Sequence, residues 1–358
     1  MKKKKKVKGN RMLPKVLEKS KFAAFATALA GEYQVVGPQL KEQSKAGGET
    51  FVFGPVTDGA ALRMDYNITL LSPKKYFLPM RETLLKYTTV GHPKAEAVMD
   101  TRQRVIVGAH PCDIYATWLL DKVFSTDHKD PNYLSRRERA LIIGLDCAKP
   151  CDETSFCHDM GTNYVESGFD LMMTDIGEAY FVEIATEAGQ ALLAKAETRE
   201  AHNEDFAKRQ AFMERKQGGF HKRIPVDTKY LPEILEESYD SLVWEAIGRR
   251  CFSCGSCNLV CPTCYCFDIT DKLNLDLTSG TRERTVDSCQ LDNFASVAGG
   301  ESFREQRSSR LRHRFFRKAK YIQEAFGRKG CVGCGRCDRN CVAKINSVET
   351  YTQIAGSR

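Results

Sequence analysis

Cys251-Phe-Ser-Cys254-Gly-Ser-Cys257-Asn-Leu-Val-Cys261-Pro262 is followed, about 70 residues later, by Cys331-Val-Gly-Cys334-Gly-Arg-Cys337-Asp-Arg-Asn-Cys341. Both runs have the spacing C-x2-C-x2-C-x3-C, the ligand spacing of bacterial ferredoxins. Three closely spaced thiolates wrap one cluster because a short loop turns side chains and amides inward together, and Gly255 and Gly335 sit where the backbone must bend past sulfur. In two-cluster ferredoxins the fourth cysteine of each run crosses to the other cluster, since it lies past the loop on the opposite side. On that pattern one [4Fe–4S] cluster takes Cys251, Cys254, Cys257 and Cys341. A second takes Cys331, Cys334, Cys337 and Cys261. Were each run to serve its own cluster, the same eight residues would be the ligands. A pair of zinc sites is the competing assignment, since C-x2-C pairs also build zinc ribbons. Zinc needs four ligands arranged as two pairs, whereas here a third cysteine at x2 and a fourth at x3 occur twice. Proline follows the first run but not the second, where Val342 stands.

At 358 residues the chain is long enough for two domains with a buried core. Its 42% hydrophobic and 28% charged residues are those of an ordinary globular protein. Fifteen cysteines in tight C-x-x-C groups, in a large chain without a signal sequence, indicate metal rather than a disulfide framework. Of the formal net charge of +8, six charges come from Lys2, Lys3, Lys4, Lys5, Lys6 and Lys8, which leaves +2 for the body. A near-neutral body argues against nucleic acid as a partner. No apolar run reaches the roughly 18 residues that span a bilayer. Phe22 to Ala30, a short Ala-rich run after a basic stretch, reads as an amphipathic helix and not a secretory signal. The expected location is the cytoplasm.

Residues 1–20 form a basic, disordered tail on this reading. Residues 21–240 mix strand and helix patterns and form an α/β (or α+β) domain, with strands expected at Arg104–Gly108, Ala140–Leu145 and Ala179–Ile184. A charged helical stretch over 186–216 leads to Gly218-Gly219 and Pro225, a hinge signal. Residues 241–358 are expected to form a mainly α-helical dicluster ferredoxin-like domain, its long inter-run segment ending in the basic, helix-patterned stretch 303–321. The arginines and lysines there either offset cluster charge or line a solvated or partner-facing surface.

A second set of cysteines lies upstream, in His110-Pro-Cys112-Asp113 and Asp146-Cys147-Ala-Lys-Pro-Cys151-Asp-Glu-Thr-Ser-Phe-Cys157. Cys147 follows a strand end, where sites in α/β sheets form. Cys112, Cys147, Cys151 and Cys157 either hold a third cluster, with Asp113 as an oxygen ligand should one cysteine not serve, or pack as free thiols. Cys264, Cys266 and Cys289 either pack as small hydrophobes or take a ligand or redox role.

No G-x-G-x-x-G follows a strand and no P-loop is present, so flavin and nicotinamide, if used, sit on another chain. No carboxylate or Ser/His pair has a spacing that singles out hydrolysis.

Across most of its length the sequence resembles the iron–sulfur beta subunit of sulfhydrogenases, the cytoplasmic NiFe hydrogenases, and the similar iron–sulfur chain of anaerobic sulfite reductase. The likeness is carried by 71–82 (LSPKKYFLPMRE), Pro111-Cys-Asp-Ile114 with Leu120-Asp-Lys-Val-Phe124, Met160-Gly-Thr162, and Cys261-Pro-Thr-Cys-Tyr-Cys-Phe-Asp268. Family members carry Cys-Phe-Cys where this chain has Ser155-Phe156-Cys157, and Arg where His110 stands. The resemblance implies an electron-transfer subunit in a hetero-oligomer. Its implied partners are a flavin and [2Fe–2S] diaphorase chain on one side and a NiFe hydrogenase or sirohaem reductase subunit on the other. Direct reduction of a sulfur substrate at the N-terminal cysteines is the alternative.

Overall fold

The computed structural model describes residues 12–43 and 48–357. Its strands in chain order are β1 (Lys15–Glu18), β2 (Gln34–Gln43), β3 (Glu49–Pro55), β4 (Arg81–Thr88), β5 (Lys94–Ala97), β6 (Arg104–Ala109), β7 (Ala140–Leu145), β8 (Leu171–Asp175), β9 (Ala179–Ile184), β10 (Arg199–Glu200), β11 (Phe267–Leu273) and β12 (Ser279–Val286). The three strands expected from the sequence are β6, β7 and β9. Eight strands form one mixed sheet in the order β10-β1-β9-β8-β7-β6-β2-β3, in which β2, β6, β7 and β8 run parallel. Every residue of β6 is buried. An unbroken buried strand of this kind needs cover on both faces, and a parallel strand under helices receives it.

The basic tail is shorter than its expected extent of 1–20. Lys15–Glu18 pairs with β9 and β10 as an internal strand, and helix Lys19–Ala30 follows it. Residues 1–11 lie outside the described residues. The stretch 186–216 divides into helices Glu187–Leu193 and Asn203–Gly219 with β10 between them, so Gly218 and Gly219 close a helix.

The larger departure concerns the segment between the cysteine runs. Its expected state is helical, but its first half is a hairpin, β11 and β12, that joins β4 and β5 in an antiparallel sheet of order β11-β12-β4-β5. The second domain is therefore not purely helical, and it shares a sheet with residues from the first. The hairpin's charge-rich alternation supports strands through cross-strand ion pairs: Arg282 with Asp271 at 2.7 Å, and Glu283 with Arg81 at 2.6 Å and Lys272 at 2.8 Å. Arg284 is buried between Glu82 and Asp130.

Residues 287–306 form turns and one 3-10 turn, Asp292–Ala295, and only from Arg307 is the basic stretch helical. Helix Arg307–Phe316 continues through a π-helical turn, Arg317–Tyr321, into helix Ile322–Phe326. Leu311, Phe315, Phe316 and Ala319 pack with Trp244, Ile247, Leu235, Tyr351 and Ile354 in a second core. Phe156 and Met160, from the first domain, belong to that same core. The two parts of the chain are fused through the region that carries the cysteines.

Candidate metal centre

The two cysteine runs fold alike. Gly255 (φ 76°) and Gly335 (φ 71°) take the left-handed conformation and start the short helices Ser256–Leu259 and Arg336–Arg339. Position 335 also has no room for a side chain, because a Cβ there would lie 2.3 Å from Thr154 Oγ1. In each run the amide two residues after the first cysteine donates to its sulfur, Ser253 N to Cys251 Sγ at 3.3 Å and Gly333 N to Cys331 Sγ at 3.4 Å. Ile345 N donates to Cys341 Sγ at 3.3 Å. Such donors favour thiolate over thiol.

Cys251, Cys254, Cys257 and Cys341 line one cavity. Cys331, Cys334, Cys337 and Cys261 line its neighbour. Each cavity thus receives three cysteines from one run and the fourth from the other. Cys337 borders both cavities, and Arg314, Phe315 and Ser347 form a common wall.

The charge around these cavities is unusual for a protein interior. Arg314 and Lys318 stand four residues apart, hence on one helix face, and both are buried. Arg314 Nε donates to Asn258 Oδ1 at 3.1 Å and Lys318 Nζ to Thr263 Oγ1 at 2.6 Å. Among the described residues neither is ion-paired with a carboxylate. Burial works against both charges, yet the cysteine sulfurs around them hold each pKa above its ordinary value: Cys257 and Cys337 foremost for Arg314, Cys261 and Cys264 for Lys318. Lys74 is also buried and donates to the carbonyls of Cys261 and Cys264, both at 2.9 Å. Buried cations without acidic partners are costly. A four-iron cube with four thiolates, of net charge about −2, would supply the missing anion, so the donor set and its surroundings fit that group. The basic stretch accordingly divides, with Arg314 and Lys318 facing the cavities while Arg312 and Lys320 point outward to Asp240, Glu236 and Glu324.

The family model of a 4Fe–4S dicluster domain matches residues 250–345, which include both runs. The beta subunit of sulfhydrogenase 2 from Pyrococcus furiosus is 32% identical over 335 residues, covering 93% of this chain and 96% of that one. The chain belongs to the sulfhydrogenase beta-subunit family. A chain of the xenon-derivatized F420-reducing [NiFe] hydrogenase complex from Methanosarcina barkeri superimposes with a TM-score of 0.36 at 12% identity. That match covers 59% of this chain and 91% of the other and is too loose to bear on the site.

In this sulfhydrogenase beta-subunit family member the upstream cysteines also come together. Cys112 opens the helix that follows β6, and Cys147 follows β7, the strand beside it. Cys112 and Cys157 pack with Val332 and Cys334 of the second run in one apolar cluster, against which Cys147 and Cys151 lie. Burial raises all four thiol pKa values, Cys157 to about 12, and Cys151 adds to the rise at Cys147 and Cys157. Ser155 is buried and donates to Asp152 Oδ1 at 3.2 Å. His110 stacks on Tyr66 with ring centroids 4.3 Å apart, its Nδ1 4.0 Å from Cys151 Sγ.

Asp113, expected as a substitute ligand, has other partners. Its two carboxylate oxygens accept from Arg336 at 2.6 and 2.8 Å, and Arg336 Nε also donates to the Thr69 carbonyl at 2.9 Å. Sequence reasoning missed this contact, although Arg336 lies inside the second run. The loop 151–157 is bound to that run as well, by Phe156 N to the Gly333 carbonyl at 2.7 Å and Thr154 Oγ1 to the Gly335 carbonyl at 3.3 Å. Thr162 Oγ1 donates to the Val332 carbonyl at 2.6 Å. No helix among the described residues is long and apolar enough to cross a membrane.

Proposed function

We propose that this chain is an electron-transfer subunit of a cytoplasmic hydrogenase-type complex. In this reading Cys251, Cys254, Cys257 and Cys341 hold one [4Fe–4S] cluster, and Cys331, Cys334, Cys337 and Cys261 hold a second. The observation that carries the reading is that the fourth cysteine of each run lines the cavity of the other run's first three. Bound clusters would supply reversible one-electron chemistry. The chain's own residues exclude water with Phe156, Phe315, Val332 and Tyr351, offset negative charge with Arg314 and Lys318, and donate amides to sulfur. A third cluster on Cys112, Cys147, Cys151 and Cys157 extends the path into the first domain. The partners are a flavin and [2Fe–2S] diaphorase chain and a terminal NiFe hydrogenase or sirohaem reductase subunit. Direct reduction of a sulfur substrate at the upstream cysteines fits less well, because burial holds all four as thiols and not as the thiolates that attack sulfur.

Iron and acid-labile sulfide counts on anaerobically purified protein test the assignment. About twelve irons per chain are expected, at four per cluster. About eight irons, unchanged in Cys147→Ala, would remove the third cluster. Cys254→Ala and Cys334→Ala should each lose one low-temperature EPR signal, and unchanged spectra would refute the ligand sets. Chains that co-purify identify the terminal subunit.

A further inference from the structure

Three cysteines remain outside the twelve assigned above, and all three line a single cavity of about 340 Å³. Hairpin register brings two of them together. Phe267 pairs with Val286 at the base of β11 and β12 and Asp287 N donates to the Cys266 carbonyl at 3.0 Å, so Cys266 and Cys289 lie just beyond the paired ends and face the same cavity. Asn258 Nδ2 donates to Cys289 Sγ at 3.0 Å and Gln290 Nε2 at 3.7 Å. These donors, with Cys266 itself as the largest influence, lower the Cys289 pKa, which favours thiolate there and a protonated partner at Cys266. Arg314, Arg317 and Lys318 face the same cavity, and Phe294 and Ile322 add apolar wall. Arg314 and Lys318 also border the cavity of Cys331, Cys334, Cys337 and Cys261, so the two spaces share a wall.

We propose that Cys266 and Cys289 are a redox-active dithiol that reduces a small anionic disulfide bound in this cationic cavity. The inference rests on the cluster assignment above for its electrons. Cys289 thiolate attacks one sulfur of the disulfide, forming a mixed disulfide and releasing the first half as a thiolate, which takes up the Cys266 proton. Cys266 thiolate then attacks Cys289 Sγ, and the second half leaves and takes a proton from solvent. The resulting Cys266–Cys289 disulfide returns to Cys289 thiolate and Cys266 thiol with two electrons, delivered singly from the neighbouring clusters, and one proton. The net change is one disulfide plus two electrons and two protons giving two thiols. Arg317 binds the anionic group of the substrate.

The test uses the full-length holoprotein. Differential alkylation with mass spectrometry is read across a potential series, and iron content and EPR are recorded on each sample. A Cys266–Cys289 disulfide should form at oxidising potential and disappear when the protein is reduced. In a single turnover, reduced protein freed of reductant should release thiol from oxidised glutathione, the anionic probe. Cys289→Ser should slow that release by about tenfold or more with iron content and EPR unchanged. Arg317→Ala should weaken the response to oxidised glutathione several-fold while leaving that to neutral hydroxyethyl disulfide unaltered. The proposal is overturned if no such disulfide forms at any potential, if Cys289→Ser releases thiol as fast as wild type, or if that variant loses a cluster signal, which would make Cys289 a ligand. A low iron count in the wild type would instead refute the cluster assignment, and the alkylation result still decides the dithiol.

Discussion

Replacing Arg336 by Met should be among the most damaging single changes outside the cysteines. Arg336 and Asp113 are 1% and 0% exposed, and their two parallel hydrogen bonds join the second cysteine run to the helix that carries Cys112. The methionine fills comparable space but leaves Asp113 buried without its cation and the Thr69 carbonyl without its donor. Removing one partner of a buried pair costs about 3–5 kcal/mol, a large part of the roughly 5–15 kcal/mol that holds a domain folded. In a chain of this size the loss corresponds to a fall in apparent melting temperature of roughly 4–7 °C. The assay is loss of cluster absorbance on heating at a fixed scan rate, because release of the metal makes unfolding irreversible. Arg336→Lys should fall between wild type and Arg336→Met, since lysine keeps the charge but cannot form the paired bonds. Adding Asp113→Leu to Arg336→Met should recover part of the loss by removing the stranded carboxylate. A shift below about 2 °C for Arg336→Met, or a double variant as unstable as the sum of the single ones, would refute this account of the pair.

Other outcomes follow from the same geometry. Arg314→Met removes a buried cation from the wall between the two cluster cavities, so at least one cluster potential should fall, by roughly 50–100 mV at an effective dielectric near 20; spectroelectrochemical titration reads the shift. Gly335→Ala puts a Cβ against Thr154 at a positive φ, and should reduce iron content along with resistance to proteolysis in the 151–157 loop. His313 is held neutral, its pKa lowered to about 4 by burial and by Arg304 and Arg317. The unfolded chain therefore takes up this proton first as pH falls from about 6.5, so its contribution to stability is full above that value and is lost as pH falls towards 4. His313→Phe should flatten the acid limb of a stability–pH profile, and an unchanged limb would exclude His313 as its source.

The two cysteine runs are legible in the sequence because ligand spacing is local. Three cysteines at x2 intervals specify a loop whatever surrounds them, and the fourth cysteine of each run lines the cavity of the other. The strands β6 and β7 are legible for a similar reason, since continuous burial leaves an apolar run. The hairpin β11–β12 is not. Its residues are mostly charged, and what fixes them as strands is their pairing with β4, almost two hundred residues away. Asp113 misleads for the same reason. A carboxylate beside a cysteine resembles a ligand until its partner Arg336, 223 positions later, is placed on it. Cys266 and Cys289 likewise become neighbours only once the hairpin closes.

The fused architecture has a consequence for how electrons would traverse the chain. The upstream cysteines share an apolar cluster with Cys334, the cavity of Cys334 shares a wall with that of Cys251, and Cys254 of that last cavity is exposed. Phe252 and Val342 flank it with 63% and 67% of their surface exposed. Contiguous exposed apolar groups mark interaction sites, so this one is the proposed contact for a partner chain. The proposed path therefore runs from the carboxyl ends of the central strands β6 and β7 to this apolar patch, with the dithiol cavity as a side branch from its middle. Had the two domains met through a flexible linker, the distance between the upstream site and the second cavity would vary with domain motion. Arg336–Asp113, the Phe156–Gly333 bond and the shared sheet fix that distance, which is the physical requirement for a wire made of separate centres.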